Sequence, residues 1–247
     1  MEEFQTLKHQ EKINMFKKGQ SIAIIPARGG SKTIPRKNIK LLKGKPLISY
    51  SIEHALKSNL ISEVYVSSDS EEILEIAKEF GSKAILRPQE LANDIIMPDA
   101  AISHAIKYIA LTEKLIPECT LMLQPTSPIR KVSDINYSIE SIISGKFNSV
   151  ISACRSHHLF WSKGKDTWKS NYGNKRPRRQ DLIQYTEDGS IYAFNTLKFL
   201  KKEDRIINPV NVHEIDQVCS LEIDTQTDWR IIENLFDEKG NLINQNF

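Results

Sequence analysis

Between Pro26 and Asn38 the chain reads PARGGSKTIPRKN, two adjacent glycines set among the cations Arg28, Lys32, Arg36 and Lys37. A glycine-rich turn presents backbone N–H groups, and with cationic side chains around it such a turn cradles phosphate. Two common templates do not fit. There is no GxGxxG, which speaks against a dinucleotide site, and the pattern GxxxxGK[ST] fails at Lys32-Thr33, where Pro26 and Ser31 occupy the glycine positions. Far along the chain, Glu222 and Asp224 flank Ile223, so on an extended segment both carboxylates face one side. Such a pair suits Mg²⁺, a hard cation usually bound through one or two carboxylates plus phosphate oxygens and water. The plain alternative is a helix N-cap and a surface acid.

Charge sorted by position sharpens this reading. The chain carries 34 Lys+Arg against 31 Asp+Glu, a net charge of +3 that does not call for a nucleic-acid partner. Yet Lys17 to Pro46 holds nine basic residues and no acidic one, while Glu214 to Glu238 holds eight acidic residues and one basic one, Arg230. Either two solvated faces of opposite sign are present, or one end of the chain holds phosphates and the other a metal.

These residues need a scaffold. With 247 residues, 40% hydrophobic and 26% charged, the chain is long and apolar enough for one large domain with a sizeable core. Cys119, Cys154 and Cys219 are far apart with no CxxC, which favours inert buried thiols and a reducing, cytoplasmic setting. No apolar run approaches the ~20 residues of a membrane span. Residues 1–20 are polar and lack the apolar stretch of a secretory signal. They read as an N-terminal appendage with a loose stripe of Phe4, Leu7, Ile13 and Phe16, ahead of a single domain over 21–247.

That domain alternates strands and helices. SIAIIP (21–26), EVYVS (63–67), KAIL (83–86), TLMLQ (120–124), SVISA (149–153) and SIYAFN (190–195) read as strands. A helix opens at Pro46 with Ile48, Ile52, Ala55 and Leu56 in phase. A second is capped by Asp69 and stopped by Gly81. Others cover about 99–112, a stretch capped by Ser133 or Asp134 that runs through Ile143, and 228–236. This alternation predicts an α/β, Rossmann-like three-layer sandwich on a mainly parallel sheet, with ligands beyond the carboxyl ends of the strands. Residues from about 155 to 185 break the pattern. They carry Phe160, Trp161, Trp168 and the cations Lys175, Arg176, Arg178 and Arg179, and read as a protruding insertion, a dimer interface or a lid. His157-His158 has no third ligand nearby and reads as a loop pair.

Six pieces, in order, resemble the acylneuraminate cytidylyltransferases, the CMP-sialic acid synthetases, and their Kdo-activating relatives. They are ARGGSK with PRKN (27–32, 35–38), RPxxLA (87–92), LQPTSPIR (123–130), RQDL (179–182), DGSIY (188–192) and EIDTQTDW (222–229). The resemblance implies an enzyme, usually dimeric, that attacks the α-phosphate of CTP with the anomeric hydroxyl of a nine-carbon α-keto acid sugar and releases pyrophosphate. It places Arg28, Ser31, Lys32, Lys37 and Asn38 around the triphosphate and Arg87 near the cytosine. Gln124 and Tyr192 would meet the sugar, with Arg179 near its carboxylate. Asp224, with Glu222 beside it, would hold Mg²⁺, and Arg28, Lys37 and Asp224 would carry catalysis.

Three departures matter. Thr33 stands where the family often has a smaller residue, and Glu222 where many members have aspartate, which leaves open whether it reaches metal or sugar. Trp161 follows His157-His158 where sialic acid enzymes can present a lysine, which suggests another nonulosonic acid, such as legionaminate. Kdo and pseudaminate remain alternatives, as do a sugar-1-phosphate nucleotidylyltransferase and a non-catalytic nucleotide-binding protein.

Overall fold

The computed structural model describes residues 4, 6, 7, 9–93 and 96–243, and for residues 9, 10 and 13 the backbone alone. Helix α1 (His9–Met15) leads into β1 (Phe16–Pro26), a two-residue hairpin β2 (Leu41–Leu42) and β3 (Lys45–Pro46), then α2 (Leu47–Leu56) and β4 (Glu63–Ser68). There follow α3 (Glu71–Glu79), β5 (Lys83–Leu86), α4 (Pro98–Glu113), β6 (Ile116–Leu123), α5 (Val132–Ile143) and β7 (Ser149–Ser156). A hairpin of β8 (Trp161–Lys163) and β9 (Trp168–Ser170) precedes β10 (Gln184–Asn195), α6 (Thr196–Lys202), β11 (Val210–Glu214) and α7 (Gln226–Glu233).

Seven strands form one sheet in the order β11-β7-β10-β6-β1-β4-β5. All neighbours are parallel except β10, which runs antiparallel to both β6 and β7. The strands are continuously apolar because both faces are covered. Alternate residues divide between the faces. Ala23, Ile25, Leu121, Leu123 and Ile191 meet α2, α3 and α5, and Ile22, Ile24, Met122, Tyr192 and Phe194 meet α4 and α6. The expected three-layer sandwich is therefore present.

A third apolar cluster lies at one edge and does more for the site than for the sheet. Ile34, Leu42, Leu47 and Tyr50 from the N-terminal third pack on Ile215, Cys219, Ile223, Trp229, Ile232 and Phe236 from the C-terminal fifth. Burial of these side chains, roughly 1.5–3 kcal/mol each before ordering entropy, fastens the acidic end of the chain to the basic one.

Several expected boundaries shift. β1 starts at Phe16 rather than Ser21, with Phe16 and Lys17 paired to Ile116 and Pro117, so the last residues of the appendage extend the sheet. Phe4, Leu7, Met15 and Phe16 pack with Ala110 and Ile116; the side chain of Ile13 lies outside the described residues. Neither Ser133 nor Asp134 caps α5, which follows Lys131 without a side-chain cap; Asp134 pairs with His213 at 2.9 Å. α7 starts at Gln226, where Thr225 and Asp228 form a reciprocal capping box. The insertion is in part a two-stranded arm, as β7 and β10 keep pairing outward from Glu187↔Ala153 to Gln184↔Ser156. The β8–β9 hairpin sits on it, with Phe160, Trp161 and Trp168 exposed. Cys119 and Cys219 are buried and Cys154 is half-buried; all three are free.

Candidate active site

Strand order reverses beside β1: β4 and β5 extend the sheet on one side, β6 on the other. Segments leaving the carboxyl ends of β1 and β6 diverge at such a point and open a crevice. A cleft of about 600 Å³ occurs there. Arg28, Ser31, Lys32, Lys37 and Asn38 line it from the loop after β1, Arg87 from the end of β5, Gln124 from the end of β6, and Asp224 from the segment before α7. Leu91, Ala92, Met97, Pro98 and Ala101 add apolar lining beside the cations. A polyphosphate attached to a flat, weakly polar ring fits such a division.

The loop is held by its own polar groups. Ala27 N–H extends the parallel pairing by donating to the Ser67 carbonyl at 2.9 Å. Asn38, only 8% exposed, donates from Nδ2 to the Arg28 carbonyl at 2.9 Å. It thereby closes the loop on itself and turns Arg28 into the cleft. A Cβ on Gly30 would meet nothing within 4 Å, so that backbone faces open space. Arg36, at φ 55°, turns the chain left-handed into a 3-10 turn that sends Lys37 across the cleft.

On the far side, Ile223 is fully buried in the third cluster and its N–H donates to the Thr126 carbonyl at 2.8 Å. Lys37 Nζ donates to the Ile223 carbonyl at 2.7 Å and to Asp224 Oδ1 at 3.3 Å. Asp224 is exposed to the cleft, and Glu222, half-buried, accepts from Ser127 Oγ at 3.4 Å. Burial above all, then the neighbouring Asp224 and Asp188 carboxylates, pushes Glu222 up to about 7. Among the described residues no cluster of three His, Cys, Asp or Glu could hold a metal. A cation here would rest on Glu222 and Asp224 and take its other ligands from phosphate and water, the habit of Mg²⁺. The closeness of the Asp224 and Asp188 carboxylates to Glu222, which helps raise it, fits a cation at this corner.

Behind Gln124 lies a buried support built on Arg130, which closes LQPTSPIR, and Asp188, which opens DGSIY, a role the sequence did not show. Arg130 donates from Nε to the Ser190 carbonyl at 3.0 Å, from Nη1 to Ser51 Oγ at 2.8 Å, and from Nη2 to the Gln124 carbonyl. Asp188 accepts from Ser152 Oγ at 2.5 Å and from Ser190 N–H at 2.8 Å. Gly189, at φ +73°, lies so close to Glu222 that a Cβ would collide with its carboxylate and come within 3.0 Å of Gln124 Nε2.

Asp69 does not cap α3; Ser70 does, accepting from Ile73 N–H. Asp69 points into the fold, where its Oδ1 accepts from Gly29 N–H at 3.0 Å and lies 3.6 Å from Arg87 Nη2. Its place directly after a parallel strand was the available sign of a site role. Burial, opposed by Asp69, holds the Arg87 guanidinium below its usual proton affinity.

Two expected sugar residues lie elsewhere. Tyr192 is buried on the α4 face, its hydroxyl donating to Glu187 at 2.5 Å and its ring covered by Arg205 at 4.4 Å. Arg179 is exposed on the arm, where its carbonyl pairs with His157 Nδ1 at 3.1 Å. His158 Nδ1 pairs with Ser156 Oγ at 3.1 Å, so both histidines brace the arm. Trp161 stands edge-on to Tyr172 at 5.9 Å on the hairpin and does not line the cleft.

Residues 22–243 match a family model described as cytidylyltransferase. The chain is 33% identical over 224 residues to a pseudaminic acid cytidylyltransferase of Campylobacter jejuni, covering 88% of this chain and 96% of that one. It is 33% identical over 234 residues to a CMP-N,N'-diacetyllegionaminic acid synthase of Legionella pneumophila, covering 87% and 96%. An N-acylneuraminate cytidylyltransferase of Escherichia coli is 31% identical over 228 residues, 89% of this chain and 52% of its own. Among solved structures, a CMP:2-keto-3-deoxy-manno-octonic acid synthetase complexed with CTP shares the fold, with a TM-score of 0.66 at 18% identity over 87% of this chain and 98% of that one.

Proposed function

The chain belongs to the cytidylyltransferase family, and from that premise we propose that it transfers CMP from CTP to the anomeric hydroxyl of a nine-carbon α-keto acid sugar, releasing pyrophosphate. The observation that carries this reading is the meeting of Lys37 and Asp224, 187 positions apart, in one cleft with Arg28 and Arg87. Relatives named for pseudaminic, legionaminic and N-acylneuraminic acids are matched at 31–33% identity, which supports the class of acid rather than one member.

In this reading Arg28, Ser31, Lys32, Lys37 and Asn38 hold the triphosphate and Arg87 faces the base. Phosphoryl transfer depends on position and on stabilising the charge that builds on the leaving group. Arg28 and Lys37 supply that stabilisation, and Lys37 is fixed by its two contacts at residues 223 and 224. Mg²⁺ held by Asp224 and Glu222 would neutralise phosphate oxygens and orient the α-phosphate. Gln124, its carbonyl pinned by Arg130, offers its amide to the acid. Arg179 rides on the arm outside the cleft, so its contact with the acid's carboxylate belongs to a homodimer formed through the exposed arm aromatics.

Pyrophosphate release measured for CTP, UTP, GTP and ATP, each against sialate, legionaminate, pseudaminate, the eight-carbon Kdo and a sugar 1-phosphate, tests the proposal. Turnover is expected with CTP and at least one nine-carbon acid. No turnover with any nine-carbon acid would refute it, and a preference for UTP or GTP with a sugar 1-phosphate would favour the other nucleotidylyltransferase class.

A further inference from the structure

Asp69 is not among the residues lining the cleft, yet it touches two parts of its wall. The Asp69 and Arg87 side chains are 8% and 5% exposed, and a buried carboxylate of this kind needs partners. One partner is the Gly29 N–H, in the middle of the cationic loop. The other is Arg87, whose buried Nε has no hydrogen-bond partner among the described residues. Gln89 Nε2 donates to the second oxygen at 3.5 Å. The loop is pressed onto this corner, since a Cβ on Gly29 would sit 3.1 Å from Ser70 Cβ. Arg28 and Arg87 repel each other across the same space, and Asp69 stands between their two segments.

We propose that Asp69 is a positioning residue that locks the phosphate loop and Arg87 into one rigid nucleotide seat without itself touching the nucleotide. It holds one loop amide back, fixing the turn that leaves Gly30 and Ser31 facing the cleft. It also keeps the Arg87 guanidinium in place with its Nε still to be satisfied. Removing one member of a buried ion pair leaves the other uncompensated, so Arg87 and Arg28 would separate and the seat would loosen. The acid side is untouched, because Gln124 is held by Arg130 and lies against the Gly189 turn.

The inference rests on the cleft being the CTP site, so the test begins with titration calorimetry of CTP into the full wild-type chain. Absence of binding there would overturn that reading, not only this one. Given wild-type binding, Asp69→Ala is expected to weaken CTP about tenfold or more. The KM for CTP should rise in step, while kcat and the KM for the acid stay within about threefold. Asp69→Asn keeps an acceptor for Gly29 N–H but no charge for Arg87, and should fall between the two. Adding Arg87→Ala to Asp69→Ala should cost much less than Arg87→Ala alone. CTP binding by Asp69→Ala within twofold of wild type, or an equal rise in both KM values, would overturn the proposal. Should Asp69→Ala fail to fold, the near-isosteric Asp69→Asn decides: unchanged CTP binding in it refutes the role.

Discussion

Lys37 shows how single side chains make this site and how far each was readable. Its charge and its place after a glycine-rich loop were visible in the sequence; its contacts with Ile223 and Asp224, 186 and 187 positions away, were not. Arg28, Ser31, Lys32, Asn38, Arg87, Gln124 and Asp224 all line the same cleft as Lys37. Arg28, Arg87 and Gln124 stand one or two residues past a strand's carboxyl end, whereas Lys37, Asn38 and Asp224 are brought in by segments whose Ile34 and Ile223 share the third apolar cluster. Asp69 was misread for the same local reason that makes Asp a good cap: a short acceptor ahead of a helix satisfies either role, and only the approach of Gly29 and Arg87 selects one. At this scale, Arg28→Ala and Asp224→Ala should each lower pyrophosphate release with CTP and the preferred acid by about 10²-fold or more. Asp224 is exposed, so its variant should melt within a degree or two of wild type, since surface substitutions are usually worth within about 0.5 kcal/mol. Near-normal rates in both variants would remove them from the mechanism.

The elements that place these residues were legible where they are buried on two faces. β1, β4, β6 and β7 are runs of apolar residues with β-branched members, and α2 and α3 show one clear apolar stripe. Short or polar pieces escaped. β11 (VNVHE) is an edge strand, the β2–β3 hairpin has two residues a side, and α6 is a seven-residue helix whose signal is shorter than two turns. The bulge in β10 was equally hidden, since the slip between Glu187 and Tyr192 comes from tertiary pairing with β7. That bulge puts Gly189 against Glu222 and Gln124 at a positive φ. Gly189→Ala should therefore cost about 1–2 kcal/mol in urea unfolding. By displacing Gln124, it should raise the KM for the acid more than that for CTP. Equal effects on both substrates would place Gly189 in general stability instead.

Over the whole molecule, the near-neutral total conceals a basic start and an acidic end, and the third apolar cluster brings the two together at the cleft. The aromatic arm is the other global feature. If it pairs two copies, sedimentation should give a dimer that Trp161→Ser with Trp168→Ser converts to monomer at micromolar concentration; an unchanged monomer in the wild type would rule this out. Stability also carries a pH signature. Burial, aided by Arg130, Lys57 and Lys45, lowers His54 to about 3, and its Nδ1 is buried without a partner among the described residues. Below the ordinary imidazole value the unfolded chain binds a proton that the folded chain refuses, so stability is intact above about 6.5 and drains as the pH falls towards about 3. His54→Gln should narrow that loss, melting above wild type at about pH 5 relative to its position at about pH 8; parallel curves would exclude the effect. Whether CMP passes intact from CTP to the acid is read directly by phosphorus-31 NMR of the full chain with CTP, Mg²⁺ and the acid it turns over best. The three CTP resonances should give way to one phosphodiester signal and pyrophosphate in equal amounts. Conversion of CTP to CDP and phosphate, or CTP left intact with every nine-carbon acid, would contradict it.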